Sequence, residues 1–128
     1  MRRTFVIAVV LALGAGLAVA LPATAATPTF TGTVGPSFTI KLPKPPTKAG
    51  KITLVLVDKS SIHNFHLLGP GGKEIKGVDA KTGKSVSKIM TSVTGTGTWK
   101  FTLTLVKGKY HYQCDPHQSV LKGDFTVK

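Results

Sequence analysis

The chain has 128 residues and a formal net charge of +12 at neutral pH, a length that corresponds to one domain with a modest core. A single cysteine excludes a disulfide within the chain. The charge is carried almost wholly by scattered lysines rather than by the arginine forks that read phosphates and bases, so nucleic acid is not an expected partner.

The first 25 residues have the pattern of a secretory signal. Two arginines precede an uncharged, almost wholly apolar run from Phe5 to Ala20, and Ala23 and Ala25 fit an A-x-A cleavage site. We therefore expect an exported protein, periplasmic, extracellular or in the cell envelope, whose mature domain is residues 26–128. A retained membrane anchor is the alternative, but the apolar run is short for a spanning helix and contains two glycines.

Short β-strands are predicted from the start of the mature domain. The runs Phe30–Val34 and Phe38–Leu42 flank the turn dipeptide Gly35-Pro36, and a proline-rich connection follows at residues 44–48. The run Ile52–Val57 is almost continuously apolar and β-branched, which predicts a strand buried on both faces.

The second half of the chain continues the β pattern. Breakers at residues 69–72 precede a lysine-rich stretch, residues 73–90, for which we expect a hairpin. From Trp99 to Leu105 apolar and polar residues alternate, and further strands are predicted at Tyr110–Cys114 and Gly123–Val127. Seven or eight short strands without a helical period predict an all-β, single-domain Greek-key sandwich.

The only cysteine, Cys114, lies three residues before His117, on the turn after a predicted strand. A thiolate and an imidazole at this spacing form half of a metal site that would suit copper or zinc. The segment His63-Asn64-Phe65-His66 supplies the other half. Asp115, between the cysteine and the second histidine, is interpreted as a turn residue.

Strand alternation orients these side chains. Cys114 shares its face with two tyrosines of the same strand, so the thiol is predicted to point inward. His63 shares its parity with the core candidate Phe65, which predicts that His63 faces the site and that His66 faces away as a surface or supporting histidine. Because a bend or bulge at Asn64 would invalidate this assignment, His66 is kept as a reserve ligand.

These motifs resemble those of the cupredoxins, the blue type 1 copper proteins of the plastocyanin and azurin family, and the extended histidine segment resembles a subgroup of secreted bacterial members. The C-terminal run is similar to the family's Gly-x-Tyr-x-aromatic-x-Cys, Pro, His pattern, and the upstream His-Asn pair also matches. The resemblance implies one copper ion, alternating between Cu(I) and Cu(II), with His63, Cys114 and His117 as ligands. It implies that Asn64 links the two ligand loops through hydrogen bonds, and that His117 exposes its ring edge through an apolar surface patch. Val120 and Leu121 lie near that loop.

One position departs from the azurin-like loop. Four residues after the second histidine, where that loop has methionine, this chain has Leu121, which cannot donate to a metal. We expect a non-ligating axial position and a more trigonal site. The reduction potential should then exceed that of a methionine-ligated relative, because axial donation favours the oxidised ion.

The expected function is to carry single electrons between redox partner proteins, and the alternative is to store or deliver copper without redox turnover. Enzymatic activity is not expected, because four histidines leave none for the additional clusters of copper oxidases or nitrite reductases. Fifteen lysines against five acidic residues leave the mature chain a net charge of +10. This charge suits acidic docking patches on partners or an anionic membrane or cell-envelope surface. We expect a monomer.

Overall fold

A computed structural model describes residues 19–128. Most of the predicted signal segment, residues 1–18, lies outside the described residues, and residues 19–28 are exposed and have no regular structure. Among the described residues, no helix is long and apolar enough to span a membrane.

The described residues form ten β-strands, seven of which have three or more residues, together with two short 3₁₀ turns at Pro70–Gly72 and Asp115–His117. The strands, numbered in chain order, are β1 Thr29–Val34, β2 Ile40–Lys41, β3 Gly50–Asp58, β4 His66–Leu68, β5 Gly77–Asp79, β6 Ser85–Val86, β7 Ile89–Met90, β8 Gly97–Leu105, β9 Gly108–Gln113 and β10 Lys122–Val127.

The strands form two sheets. The larger has the order β2-β1-β3-β8-β5-β6, with β1 parallel to β3, and the smaller has the order β10-β9-β4-β7. The predicted all-β Greek-key sandwich is confirmed. A hairpin is found between β5 and β6, but β7 leaves it and pairs with β4 in the other sheet.

The core lies between the two sheets. The nine-residue strands β3 and β8 pair along their whole length, and their inward side chains alternate with outward ones. The smaller sheet closes the other side of the core. Buried apolar residues from both sheets include Ile52, Leu54, Leu56, Phe65, Leu67, Ile89, Phe101, Leu103, Tyr110, Phe125 and Val127.

Two predictions about the first strands need correction. Strand β3 is buried on one face only, since Thr53, Val55 and Val57 on its outer face are partly exposed. Outward β-branched residues are favoured by strand propensity as well as by burial, so a continuous apolar run does not require two covered faces. The predicted strand 38–42 shrinks to β2, because hydrogen bonds across residues 35–39 close a turn before pairing begins.

Hydrogen bonds fix the loop that follows β3. The buried carboxylate of Asp58 accepts hydrogen bonds from the backbone N–H of Ser60 at 3.0 Å and from the Thr91 hydroxyl at 2.7 Å. That hydroxyl oxygen in turn accepts from the backbone N–H of Phe65 at 3.0 Å. The loop carrying His63 is therefore held at both of its ends.

Candidate metal centre

Three metal-ligating side chains meet at one end of the sandwich. The Sγ atom of Cys114 lies 3.6 Å from the Nδ1 atoms of both His63 and His117, and the two Nδ1 atoms are 3.0 Å apart. A point equidistant from the three atoms is about 2 Å from each, close to the length of a metal–imidazole bond. Within residues 19–128, this is the only cluster of three His, Cys, Asp or Glu side chains with such a geometry.

The chemistry of the donors fits copper. One thiolate and two imidazoles form the trigonal donor set of electron-transfer copper sites, which zinc can also enter. Cys114 and His63 are buried, and His117 is partly exposed. Only one of the three ligand candidates is therefore accessible from solvent.

The turn after β9 sets the spacing of two of these residues. Asp115–His117 form a 3₁₀ turn in which the backbone N–H of His117 donates to the carbonyl of Cys114 over 3.0 Å. The backbone N–H of Cys114 donates to the carbonyl of Leu121 at 2.9 Å. These bonds hold the thiol and the second imidazole in one compact loop.

His63 has the protonation state that ligation requires. Burial, followed by the neighbouring imidazole of His117, lowers the pKa of His63, and the negative charge of Asp58 opposes this only in part. The ring is therefore neutral at neutral pH, and a neutral imidazole nitrogen can donate its lone pair to a metal.

Phe38 covers the two histidines. Its ring lies edge-on to both, with centroids 4.8 Å from that of His63 and 4.7 Å from that of His117. Phe38 is 52% exposed, and Ile62 and Val120 are also exposed, at 60% and 64%. The end of the sandwich at the cluster therefore carries exposed apolar side chains around a partly exposed imidazole.

Asn64 connects the two ligand-bearing segments. Its Nδ2 donates to Oδ2 of Asp115 at 2.9 Å, and the backbone N–H of Asp115 donates to its Oδ1 at 2.8 Å. The Asp115 carboxylate also accepts from the side chain of Gln113 at 2.9 Å. Burial acts to raise the pKa of Asp115, but the hydrogen bonds from Gln113, Asn64 and His66 outweigh it and lower that pKa.

The reserve ligand, His66, lies outside the cluster. Its Nδ1 is 2.9 Å from Oδ1 of Asp115, and its Nε2 is 2.8 Å from Oε2 of Glu74. Both ring nitrogens are thus occupied by carboxylates. His66 faces away from the core, as strand parity predicted, but it is only 7% exposed because Glu74 and Asp115 cover it.

Leu121 is buried in the ligand loop, and its backbone N–H donates to the carbonyl of His117 at 2.8 Å. The only methionine within residues 19–128, Met90, pairs with His66 across β7 and β4 and does not belong to the cluster. The ligand loop therefore has a leucine next to the cluster, and not a methionine with its thioether.

Sequence reasoning missed the roles of Phe38 and Glu74 and assigned Asp115 only to a turn. A carboxylate between two ligand candidates was a usable signal for Asp115. Nothing in the sequence pattern indicated Phe38 or Glu74, because their contacts depend on how the loops at residues 35–39 and 69–76 fold back over the sheets.

The model of the family described as copper binding proteins, plastocyanin/azurin family, matches residues 38–128. The comparison with curated protein sequences gives no match.

The similar solved structures include variants of amicyanin. A variant in the Cu(I) form is 16% identical, with 78% of this chain and 82% of that chain covered and a TM-score of 0.48. A second variant, in the reduced Cu(I) form at pH 4, is 17% identical, with 81% and 86% covered and a TM-score of 0.48. A third, in the oxidised state, is 15% identical, with 78% and 82% covered and a TM-score of 0.49. Because the family model spans nearly the whole two-sheet domain, the chain belongs to the plastocyanin/azurin family of copper-binding proteins.

Proposed function

We propose that the protein is an exported type 1 copper protein that carries single electrons between redox partners, with His63, Cys114 and His117 as the ligands of one copper ion. Bound copper would supply the one-electron couple. The observation that carries the proposal is the buried triangle of one thiol and two imidazoles with a single accessible edge.

The surrounding residues support electron transfer rather than substrate chemistry. Hydrolytic metal catalysis needs an open coordination position and a general base. The two nearby carboxylates are already engaged, Asp58 by Ser60 and Thr91, and Asp115 by three side-chain donors. Phe38 covers both imidazoles. These contacts favour a closed cage whose ligands move little when the metal changes charge.

The accessible edge of His117 is the proposed point of electron entry and exit. Its Nδ1 belongs to the cluster and the side chain is partly exposed, so the opposite edge of the ring is the part that would meet a partner. The exposed side chains of Phe38, Ile62 and Val120 would form an apolar contact around it. Within residues 19–128, which include all fifteen lysines, only Lys88 and Lys109 form ion pairs, so most of the lysine charge is available to attract acidic patches on a redox partner.

Export is proposed from the signal pattern in residues 1–25. The alternative of copper storage or delivery would require ligand exchange with another protein. Burial of His63 and Cys114 argues against such exchange, because an incoming ligand has no direct access from solvent to either side chain.

Voltammetry on the copper-loaded mature protein, residues 26–128, separates the two functions. We expect a reversible one-electron wave, and broadening of proton NMR lines when oxidised and reduced protein are mixed, because little rearrangement accompanies the transfer. An irreversible wave together with rapid release of Cu(I) to a competing chelator would instead support storage or delivery.

A further inference from the structure

His66 is enclosed by charged groups although it faces away from the core. In the smaller sheet it pairs with Met90 on one side and with Gln113 on the other, so these three residues form one row across the outer face. Glu74 and Asp115 hydrogen-bond to its two ring nitrogens, and His66 is only 7% exposed.

The two hydrogen bonds determine the protonation of the ring. An ionised carboxylate can only accept hydrogen bonds, so each ring nitrogen that contacts one must carry a proton. Nδ1 contacts Asp115 at 2.9 Å and Nε2 contacts Glu74 at 2.8 Å, which makes His66 an imidazolium. Although burial acts to lower the pKa of His66, the hydrogen bonds that its ring donates to Glu74 and Asp115 outweigh burial and raise that pKa.

The imidazolium belongs to a chain of alternating charges. Lys88 Nζ lies 3.2 Å from Glu74 Oε1, and the chain continues through His66 to Asp115. Two positive and two negative groups give it a formal charge of zero. Asp115 lies between Cys114 and His117, so the chain ends within the turn that carries two of the three candidate ligands.

We propose that His66 is a positioning residue, a buried imidazolium that fixes the Cys114–His117 turn against strand β4 before metal binds. Its Nδ1–H holds the Asp115 carboxylate, which also accepts from Asn64, the residue next to His63. All three ligand candidates are thereby tied to one charged centre. The effect of His66 on copper affinity rests on the proposed function. The protonation of the His66 ring and the ordering of the turn do not.

The first test needs neither copper nor a variant. In ¹⁵N NMR of the Zn(II)-bound and metal-free mature protein at pH 8, we expect both ring nitrogens of His66 to be protonated, with ring protons that exchange slowly with water. A neutral ring with one protonated nitrogen at this pH would overturn the proposal.

The second test compares His66→Gln with the matched control His111→Gln. His111 Nδ1 contacts Asp124 at 2.8 Å, so the control also removes a histidine–aspartate pair, but one on the exposed face of β9 and β10. Loss of a residue that orients metal ligands typically weakens metal affinity by about 10- to 100-fold. We expect a loss of this size in His66→Gln, together with faster amide exchange at residues 114–117 in the metal-free protein, and neither effect in the control. Equal behaviour of the two variants would contradict the proposal.

A milder substitution covers the case in which His66→Gln fails to fold. Glu74→Gln keeps an acceptor for Nε2 but removes one negative charge from a partly exposed position. We expect intermediate copper affinity and intermediate protection of the turn, and wild-type values for both would refute the proposal. If the wild-type protein lacks a blue copper spectrum, the proposed function fails, yet the NMR and amide-exchange results still decide the role of His66.

Discussion

Phe38 illustrates how one side chain can control access to the cluster. Its ring contacts the rings of both His63 and His117 edge-on, and it is itself half exposed. We expect an aromatic side chain in this position to exclude water and to limit rotation of both imidazoles. The rigidity of the proposed copper site and the exclusion of water from it therefore depend partly on a residue that is not a metal ligand.

Replacing Phe38 with Ala should open the site to small ligands. We expect azide to change the visible spectrum of the Cu(II) form of Phe38→Ala and to leave that of the wild type unchanged. The matched control is Ile62→Ala, which also removes a largely exposed apolar side chain but leaves the aromatic ring over the two imidazoles in place. Equal azide responses in both variants would contradict a covering role for Phe38.

Leu121 tests the axial position. In Leu121→Met a thioether can approach the metal, and because axial donation favours the oxidised ion, the reduction potential should fall. Leucine and methionine have similar volumes, so the fold should lose less than about 1.5 kcal/mol. Voltammetry measures the potential, and an unchanged or raised value would place Leu121 away from the metal axis.

The charge of His66 also predicts how stability depends on pH. The unfolded-state pKa is near 6.5, and the folded-state pKa is higher, so the stabilisation is complete below about pH 6.5 and disappears as the pH rises through the folded value. Denaturant unfolding of the metal-free protein should show decreasing stability over this interval. In His66→Gln this decrease should be absent, and an unaltered pH profile would argue against a charged His66.

At the scale of elements, the loop between β3 and β4 depends on one hydroxyl. Thr91 is buried, donates to Asp58 and accepts from the backbone of Phe65. It therefore joins the end of the larger sheet to the start of the smaller one, on either side of His63. The position of this ligand is thus set by hydrogen bonds that strand patterns do not reveal.

Thr91→Val should destabilise the fold by about 1–3 kcal/mol, because it leaves a buried carboxylate and a backbone N–H without their partner. The control is Thr104→Val on the exposed face of β8, where a change within about 0.5 kcal/mol is expected. Urea unfolding measures both, and a Thr91→Val effect no larger than that of the control would show that this hydroxyl does not anchor the loop.

Sequence patterns predicted the regular parts of the fold better than the loops. The predicted alternation of inward and outward side chains in β8 and the predicted fold class were correct, because period-two burial is a local property of a strand. The converging residues His63, Cys114 and His117 were found because their chemical types stand out. Long-range packing determines the lengths of β2 and β7, the contact of Phe38 with the histidines and the role of Glu74. The periodicity of a single sequence carries no information about such packing.

At the scale of the whole molecule, the distribution of charge governs how the protein encounters charged reagents and partners. The five acidic side chains are hydrogen-bonded to protein groups, whereas most lysines are not in ion pairs. The positive field should attract anionic reagents over distances comparable to the Debye length, about 10 Å at 0.1 M salt. The rate at which the protein associates with a charged reagent should therefore depend more strongly on charges near the cluster than on charges far from it.

Ionic strength provides the corresponding prediction. The rate of oxidation by ferricyanide should fall as salt is added, because screening weakens attraction between unlike charges. Lys59 follows the end of β3 that is nearest the cluster, and Lys51 lies near the opposite end of that strand. Lys59→Glu should therefore slow the reaction more than Lys51→Glu. Equal effects from the two variants would indicate that only net charge matters.

The most direct test of the proposed copper site is the visible and electron paramagnetic resonance spectrum of residues 26–128 loaded with Cu(II). Ligation by Cys114 and two imidazoles predicts an intense blue thiolate-to-copper band and a narrow copper hyperfine splitting, both lost in Cys114→Ser and retained in His111→Gln. A pale spectrum with ordinary hyperfine splitting, or binding of Zn(II) or Cu(I) alone, would contradict a type 1 site built from these three residues.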